Sequence, residues 1–127
     1  MIAHYALLAL AGACGTLLRA GCNTLAIHWF GTGFPVGTLA MNVLGSFAFG
    51  AVMGASRSNG LPPTGFETIV LVGLLGGFTT YSSFAFQSFE LLETGRPLGA
   101  AVSIVGTNVL ALAAVWAGLR LFGGAAG

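Results

Sequence analysis

The chain has 127 residues, of which 56% are hydrophobic and only 6% are charged, and its mean hydropathy is +0.93. A soluble domain has about 25% charged residues, so this composition excludes an ordinary soluble globular protein. The formal net charge is only +1, and we expect no nucleic-acid partner.

Long uncharged tracts separate the few charged residues, and a membrane-spanning helix needs about 20 mostly apolar residues. The first tract lacks a basic start and is too long for the apolar part of a signal peptide, so we expect no cleavable leader. We predict an all-α membrane protein that forms one domain over 1–127. Its four transmembrane helices are predicted at about 4–29, 35–55, 67–93 and 97–122.

Arg19 is the one charge predicted to lie deep in the first span, about ten residues or roughly 15 Å before the helix end. Ionisable residues inside a membrane are functional candidates. Two interpretations stay open: Arg19 draws anions into a water-filled vestibule, or it bonds to carbonyls at a helix end. Cys14 and Cys22 are too far apart on this helix for a disulfide, and we predict buried thiols.

The second span has one small and polar face, because Thr38, Asn42, Gly45 and Ser46 follow helical spacing. Asn42 is uncharged and has two N–H donors. An amide in hydrocarbon needs a partner, so Asn42 either bonds to a neighbouring helix or coordinates an anion. The pattern by itself leaves both roles open.

The third span contains a run of glycines, threonines and serines over 73–84, which disfavours an uninterrupted helix. Irregular backbone inside a membrane occurs only where it is buried in protein or lines a cavity. Broken helices near mid-membrane commonly hold ion sites. The alternative is close helix packing through small residues. The hydroxyls and aromatic residues that follow the glycines favour a site, and we predict a break near the middle of this helix.

Two short signals mark helix starts in the second half of the chain. Thr64 followed by Glu67 predicts a capping box for the third span. Pro97 suits the first turn of the fourth span.

The arginines give no clear orientation in the membrane. With four spans, Arg57 and Arg120 lie on one side, and Arg96 with Arg19 is assigned to the other. A chain without this bias can insert both ways, and oppositely inserted copies can pair about a two-fold axis in the membrane plane. Four short helices hardly enclose a pathway, so we expect an oligomer.

Three motifs in the first three spans together resemble the Fluc (CrcB) family of fluoride channels. The resemblance covers essentially the whole chain, and the conjunction is specific although each motif alone is moderate. The motifs are Gly12-x-x-Gly15-x-x-x-Arg19, Gly37-Thr38-Leu39-x-x-Asn42-x-x-Gly45-Ser46-Phe47 and Gly73-x-x-Gly76-Gly77-Phe78-Thr79-Thr80-Tyr81-Ser82-Ser83-Phe84.

The resemblance implies an antiparallel, dual-topology homodimer in a bacterial inner membrane, with two pores that conduct fluoride passively and selectively and so protect the cell. It implies a structural sodium ion held by the backbone carbonyls of Gly76 and Thr79. It places Asn42 in the pore, and ring edges with partial positive charge at Tyr81 and Phe84. We add four hydroxyls to the expected fluoride path: Thr38, Ser83, Ser103 and Thr107.

The chain departs from the family pattern at a few positions. Tyr81 replaces the usual phenylalanine, and Gln87 replaces a glutamate that many relatives carry. Ala111 removes one hydroxyl from the series that begins at Ser103 and Thr107, while Asn108 is an extra polar group.

Two other functions are also compatible in outline with four apolar spans. A proton-coupled multidrug exporter needs a membrane-embedded carboxylate, but the three glutamates lie at the ends of the third span. A non-transporting subunit of a larger membrane assembly stays open. The sequence has no nucleophile–base pair, and its glycines lack the lysine of a phosphate-binding loop, so we predict that the protein is not an enzyme.

Overall fold

The structure, a computed structural model, describes residues 1–60 and 64–124, and the regular secondary structure of these ranges is helical. The prediction of an all-α protein with four spans and a broken third helix is confirmed. The predicted domain over 1–127 also includes 61–63 and 125–127, which lie outside the described residues. The helices are α1 (Ile2–Phe30), α2 (Val36–Ser58), α3 (65–78), α4 (Tyr81–Glu93) and α5 (Pro97–Phe122), with α3 and α4 together forming the third span.

Both predicted helix starts are confirmed. Thr64 caps α3, since its hydroxyl accepts from the Glu67 N–H while the Glu67 carboxylate accepts from the Thr64 N–H. Pro97 occupies the first turn of α5. The reversal between α4 and α5 needs a left-handed residue, which Gly95 supplies at φ 74°.

The helix α3 is irregular before it ends. Its first turn, Gly65–Thr68, is α-helical, and Ile69–Leu75 then forms a π-helix. One further α-helical turn, Gly76–Phe78, closes α3. Because π-helical segments are rare and widen the helix locally, the backbone departs from ideal geometry well before the break.

The helices α2 and α5 pack backbone to backbone. A Cβ on Gly50 would meet the Val115 carbonyl, and one on Gly118 would lie 2.6 Å from the Ala51 nitrogen. Larger side chains here would push the two helices apart, and close approach through small residues is how membrane helices gain contact. These glycines therefore let α2 and α5 lie in close contact.

The helix α1 packs against α3 in the same way. A Cβ on Gly77 would lie 2.5 Å from the Gly12 carbonyl oxygen, and one on Gly15 would lie 2.9 Å from the Phe78 nitrogen. The glycines of the third span therefore serve helix packing, while the residues after them form the break. The packing interpretation is confirmed for these glycines, and the interpretation of the run as an ion site stays a prediction.

The outer surface of the single chain is mostly apolar. The prediction that Cys14 and Cys22 are buried thiols is wrong. Cys14 and Cys22 are free and exposed on α1. They lie on faces of α1 that no helix of the same chain covers.

Candidate ion site at the helix break

The third span is interrupted at Thr79 and Thr80, whose backbones are extended at φ −84°, ψ 157° and φ −150°, ψ 121°. Thr80 caps α4, because its hydroxyl accepts from the Ser83 N–H at 3.3 Å and bonds to the Ser83 hydroxyl at 3.1 Å. The carboxyl end of α3 and the amino end of α4 thus meet in the middle of the bundle. The first carries partial negative charge and the second partial positive charge.

Asn42 on α2 holds this break through both ends of its amide. Its Nδ2 donates to the Thr80 carbonyl at 2.9 Å, and its Oδ1 accepts from the Thr80 N–H at 2.8 Å. In an uninterrupted helix the Thr80 N–H would donate to the Gly76 carbonyl. Here it donates to the Asn42 Oδ1 instead, and the Gly76 carbonyl loses that partner. The amide has one further N–H to offer.

Thr79 is fixed by its side chain. Its hydroxyl donates to the Leu75 carbonyl at 2.9 Å, and its methyl group lies where a side chain at Gly45 would be. Its carbonyl accepts from the Arg19 guanidinium at 3.4 Å. Arg19 is half-buried, and this long contact corresponds to the second interpretation, an arginine bonded to a carbonyl at a helix end.

A cavity of about 320 Å³ lies beside the break, between α2, α3, α4 and α5, and every side chain that lines it is uncharged. Tyr81 and Phe84 line one part of it, with ring centroids 5.7 Å apart and ring planes inclined by 59°. Phe84 is buried, whereas Tyr81 is 79% exposed in the single chain. The polar groups that line the cavity come from α2, the break and α5: Asn42, Ser46, Thr79, Thr80, Thr107 and Asn108.

Thr107 differs from the other polar groups of this cavity. Its hydroxyl oxygen is buried and has no hydrogen-bond partner in the part of the chain that the structure describes. One turn earlier, Ser103 is almost fully buried and pairs with Ser88 of α4 at 3.1 Å. A buried hydroxyl without a partner costs about 1–3 kcal/mol, so the Thr107 hydroxyl lacks a stabilising bond that Ser103 has.

The predicted site residues divide into two groups. The structure brings Asn42, Tyr81, Phe84 and Thr107 to the cavity, together with Gly76 and Thr79 of the proposed cation site. Four others do not line it: Thr38, Ser83, Ser103 and Arg19. Thr38 lies one turn before Asn42 on α2 and is buried.

Sequence reasoning missed the roles of Thr80 and Ser88. Thr80 was part of the run but was not assigned to the site, although it carries both bonds from Asn42. Ser88 is buried four residues after Phe84, and this helical spacing places it on the same face of α4. The spacing could therefore have identified Ser88 from the sequence. No local pattern predicts the contact between Asn42 and Thr80, which lie 38 positions apart.

A second cavity, of about 420 Å³, lies at the end of the bundle where α1 and α4 finish. Asn23, Gln87, Glu90 and Arg96 contribute polar groups to it. The Gln87 Oε1 is buried without a partner among the described residues. The Arg96 guanidinium donates to the Gly33 carbonyl and so joins the two turns at this end.

Comparisons with known proteins agree with one another. The sequence model of the family described as "CrcB-like protein, Camphor Resistance (CrcB)" matches residues 6–119. A protein of Geobacter sp. (strain M21) named "Fluoride-specific ion channel FluC" is 44% identical over 115 residues, which are 90% of this chain and 92% of that protein. Proteins with the same name from Nitratidesulfovibrio vulgaris and Solidesulfovibrio magneticus are 42% and 40% identical, over 89% and 95% of this chain and 91% and 97% of theirs. The chain therefore belongs to the CrcB-like family, and its four helices able to cross a bilayer make it a multi-pass membrane protein.

Proposed function

We propose that this protein is a channel, not an enzyme, and that it lets fluoride leave the cell passively and so protects the cell from fluoride. Relatives about 40% identical over nearly the whole chain carry the name "Fluoride-specific ion channel FluC". The observation that carries the proposal is the cavity at the break, where uncharged donors and aromatic rings meet beside the amino end of α4.

This cavity suits a small and strongly hydrated anion. Removing water from fluoride is very costly unless other donors replace it. A fixed ammonium or guanidinium group would bind the ion too tightly, and conduction needs sites that the ion can leave. Amide N–H groups, hydroxyls and ring edges are weaker and answer both requirements.

Each residue has a distinct role in the proposed fluoride path. Asn42 offers the N–H that Thr80 does not use, and Thr107 offers its unpartnered hydroxyl. Tyr81 and Phe84 offer ring edges, and the amino end of α4 adds partial positive charge. The proposal keeps three further hydroxyls in the fluoride path, although they do not line the cavity: Thr38, Ser83 and Ser103.

We place the structural sodium ion at the carboxyl end of α3, held by the carbonyls of Gly76 and Thr79. Oxygen ligands and the negative end of a helix suit a hard cation. The Gly76 carbonyl fits, because the Thr80 N–H that would pair with it is bonded to Asn42. The Thr79 carbonyl fits through its second lone pair, since one accepts from Arg19. A bound sodium ion would also lower the electrostatic energy of a nearby anion.

Arg19 is also proposed to attract anions to the pore entrance. Its guanidinium is half-buried and bonded only weakly to Thr79 at 3.4 Å. A single long contact leaves most of its donors free to face water. Arg19 can therefore both bond to the Thr79 carbonyl and attract anions to the pore entrance.

We further propose that the protein works as an antiparallel homodimer in a bacterial inner membrane. Tyr81 is 79% exposed in the single chain although it lies at mid-membrane, which supports a second copy beside it. Arg19 is bonded at the break, so we do not count it among the charges at the two ends of the bundle. Arg57 and Arg120 then lie at one end and Arg96 at the other. This bias of one arginine is small, and it leaves insertion in both directions open.

Reconstituting the purified protein alone in liposomes tests the channel itself. Liposomes loaded with fluoride should release it down its gradient, as measured with a fluoride electrode, without a proton gradient and with little chloride release. A non-transporting subunit would release no fluoride, and a proton-coupled exporter would depend on the pH gradient. Either result would reject the proposal.

Cysteine labelling tests the antiparallel arrangement. The background lacks Cys14 and Cys22, and single cysteines replace exposed Asn59 or Thr32, which lie at opposite ends of α2. A membrane-impermeant thiol reagent should label about half of each population from outside and the rest after permeabilisation. Complete labelling of one position from one side, with none of the other, would exclude dual topology.

A further inference from the structure

Asn108 lies near the middle of α5 and is exposed in the single chain, yet it also lines the cavity at the break. A polar amide at this depth cannot face lipid cheaply, because hydrocarbon offers it no hydrogen-bond partner. It must therefore face protein or the interior of a polar path. The cavity is the polar space that it reaches within its own chain.

The hydrogen bonds of Asn108 leave part of its amide unused. Its Nδ2 donates to the Ile104 carbonyl, one turn earlier, at 2.7 Å. This bond fixes the orientation of the side chain and uses one of its two N–H groups. No other residue that the structure describes bonds to the side chain, so the second N–H and the Oδ1 are left for a ligand or a neighbour.

The residues of α5 near Asn108 do not form a continuous row of hydrogen-bond donors along the cavity. Ser103, Thr107 and Ala111 follow one another at helical spacing, and Thr107 carries the unpartnered hydroxyl. Ala111 also lines the cavity but has no polar group to offer. Asn108 lies within one turn of Ala111 and is the other side chain of α5 at the cavity that can donate.

We propose that Asn108 is an additional fluoride-coordinating residue, which takes the ion on from Thr107 where the series of hydroxyls stops at Ala111. This inference rests on the proposed fluoride conduction. Losing one of several uncharged donors around the ion corresponds to a fall in rate of about three- to tenfold, because water replaces part of the lost coordination.

The test compares fluoride efflux from liposomes for the wild type, Asn108→Ala, Asn108→Asp and the control Thr24→Val. Thr24 is a matched control because it is exposed on α1 and bonds to the carbonyl one turn earlier, as Asn108 does. Asn108→Ala should lower efflux about three- to tenfold. Asn108→Asp should lower it further, because a carboxylate accepts hydrogen bonds and repels the anion. Thr24→Val should conduct like the wild type.

Gel filtration of each variant separates coordination from assembly. The proposal requires that Asn108→Ala elutes as the wild type does while its efflux falls. Wild-type efflux in Asn108→Ala, or loss of efflux that accompanies loss of the wild-type assembly, would overturn it. Absence of efflux from the wild type itself would instead reject the proposed fluoride channel.

Discussion

The two walls of the cavity at the break use their polar groups in opposite ways. On the wall formed by α2 and the break, Asn42 and Thr80 satisfy each other through two hydrogen bonds. On the wall formed by α5, the Thr107 hydroxyl has no partner among the described residues, and Asn108 keeps an unused N–H. Paired groups fix the shape of a site, whereas a buried donor without a partner is costly and would be stabilised by a ligand that accepts a hydrogen bond from it. In the proposed channel, the first wall would position the path and the second would provide donors along it.

Replacing Asn42 should have the largest effect, because Asn42 belongs to both functions. Asn42→Leu removes the free N–H and leaves two backbone groups of Thr80 without their partner, each at about 1–3 kcal/mol. We expect fluoride efflux to fall by more than about tenfold, with a lower thermal unfolding temperature but an intact assembly. Normal efflux in liposomes would limit Asn42 to joining α2 to the break.

Replacing Phe84 tests the aromatic residues that α4 contributes to the cavity. Phe84→Leu removes a ring edge but keeps a buried apolar side chain, so efflux should fall sharply while the assembly survives. Gel filtration and efflux are measured on the same preparation. If the ring merely packs, leucine should conduct almost normally after local repacking, and the ring-edge mechanism would then be wrong.

Replacing Thr107 tests the second wall most directly. Thr107→Val keeps the shape and removes only the unpartnered hydroxyl. Efflux should fall about three- to tenfold while thermal stability stays equal or rises, because a buried unsatisfied group is lost. A hydroxyl that serves only the fold would give the reverse, namely lower stability with unchanged efflux.

Replacing Tyr81 should have the smallest effect. Tyr81→Phe keeps the ring edge and removes a hydroxyl from a side chain that is 79% exposed in the single chain. Selective fluoride efflux should therefore be retained, as measured against chloride. A clear loss would mean that the Tyr81 hydroxyl is itself a donor in the path.

Local sequence signals predicted several elements of the fold. The capping box at Thr64 and the proline at the start of α5 depend on residues a few positions apart, and both formed as expected. The break also follows from local chemistry, because glycine, threonine and serine disfavour a continuous helix. The π-helix over Ile69–Leu75 was not anticipated, since nothing in its apolar sequence distinguishes it from an α-helix.

The sequence by itself determined the four apolar spans, the interruption of the third and the presence of uncharged donors at helical spacing. These properties depend on composition and on short-range periodicity. Only the tertiary structure decided which donors are paired and which are free. Asn42 meets Thr80 across 38 positions, and Arg19 meets Thr79 across 60. Such contacts depend on how closely the glycines let the helices approach and on the register in which they pack, and neither is encoded in the pattern of any one helix.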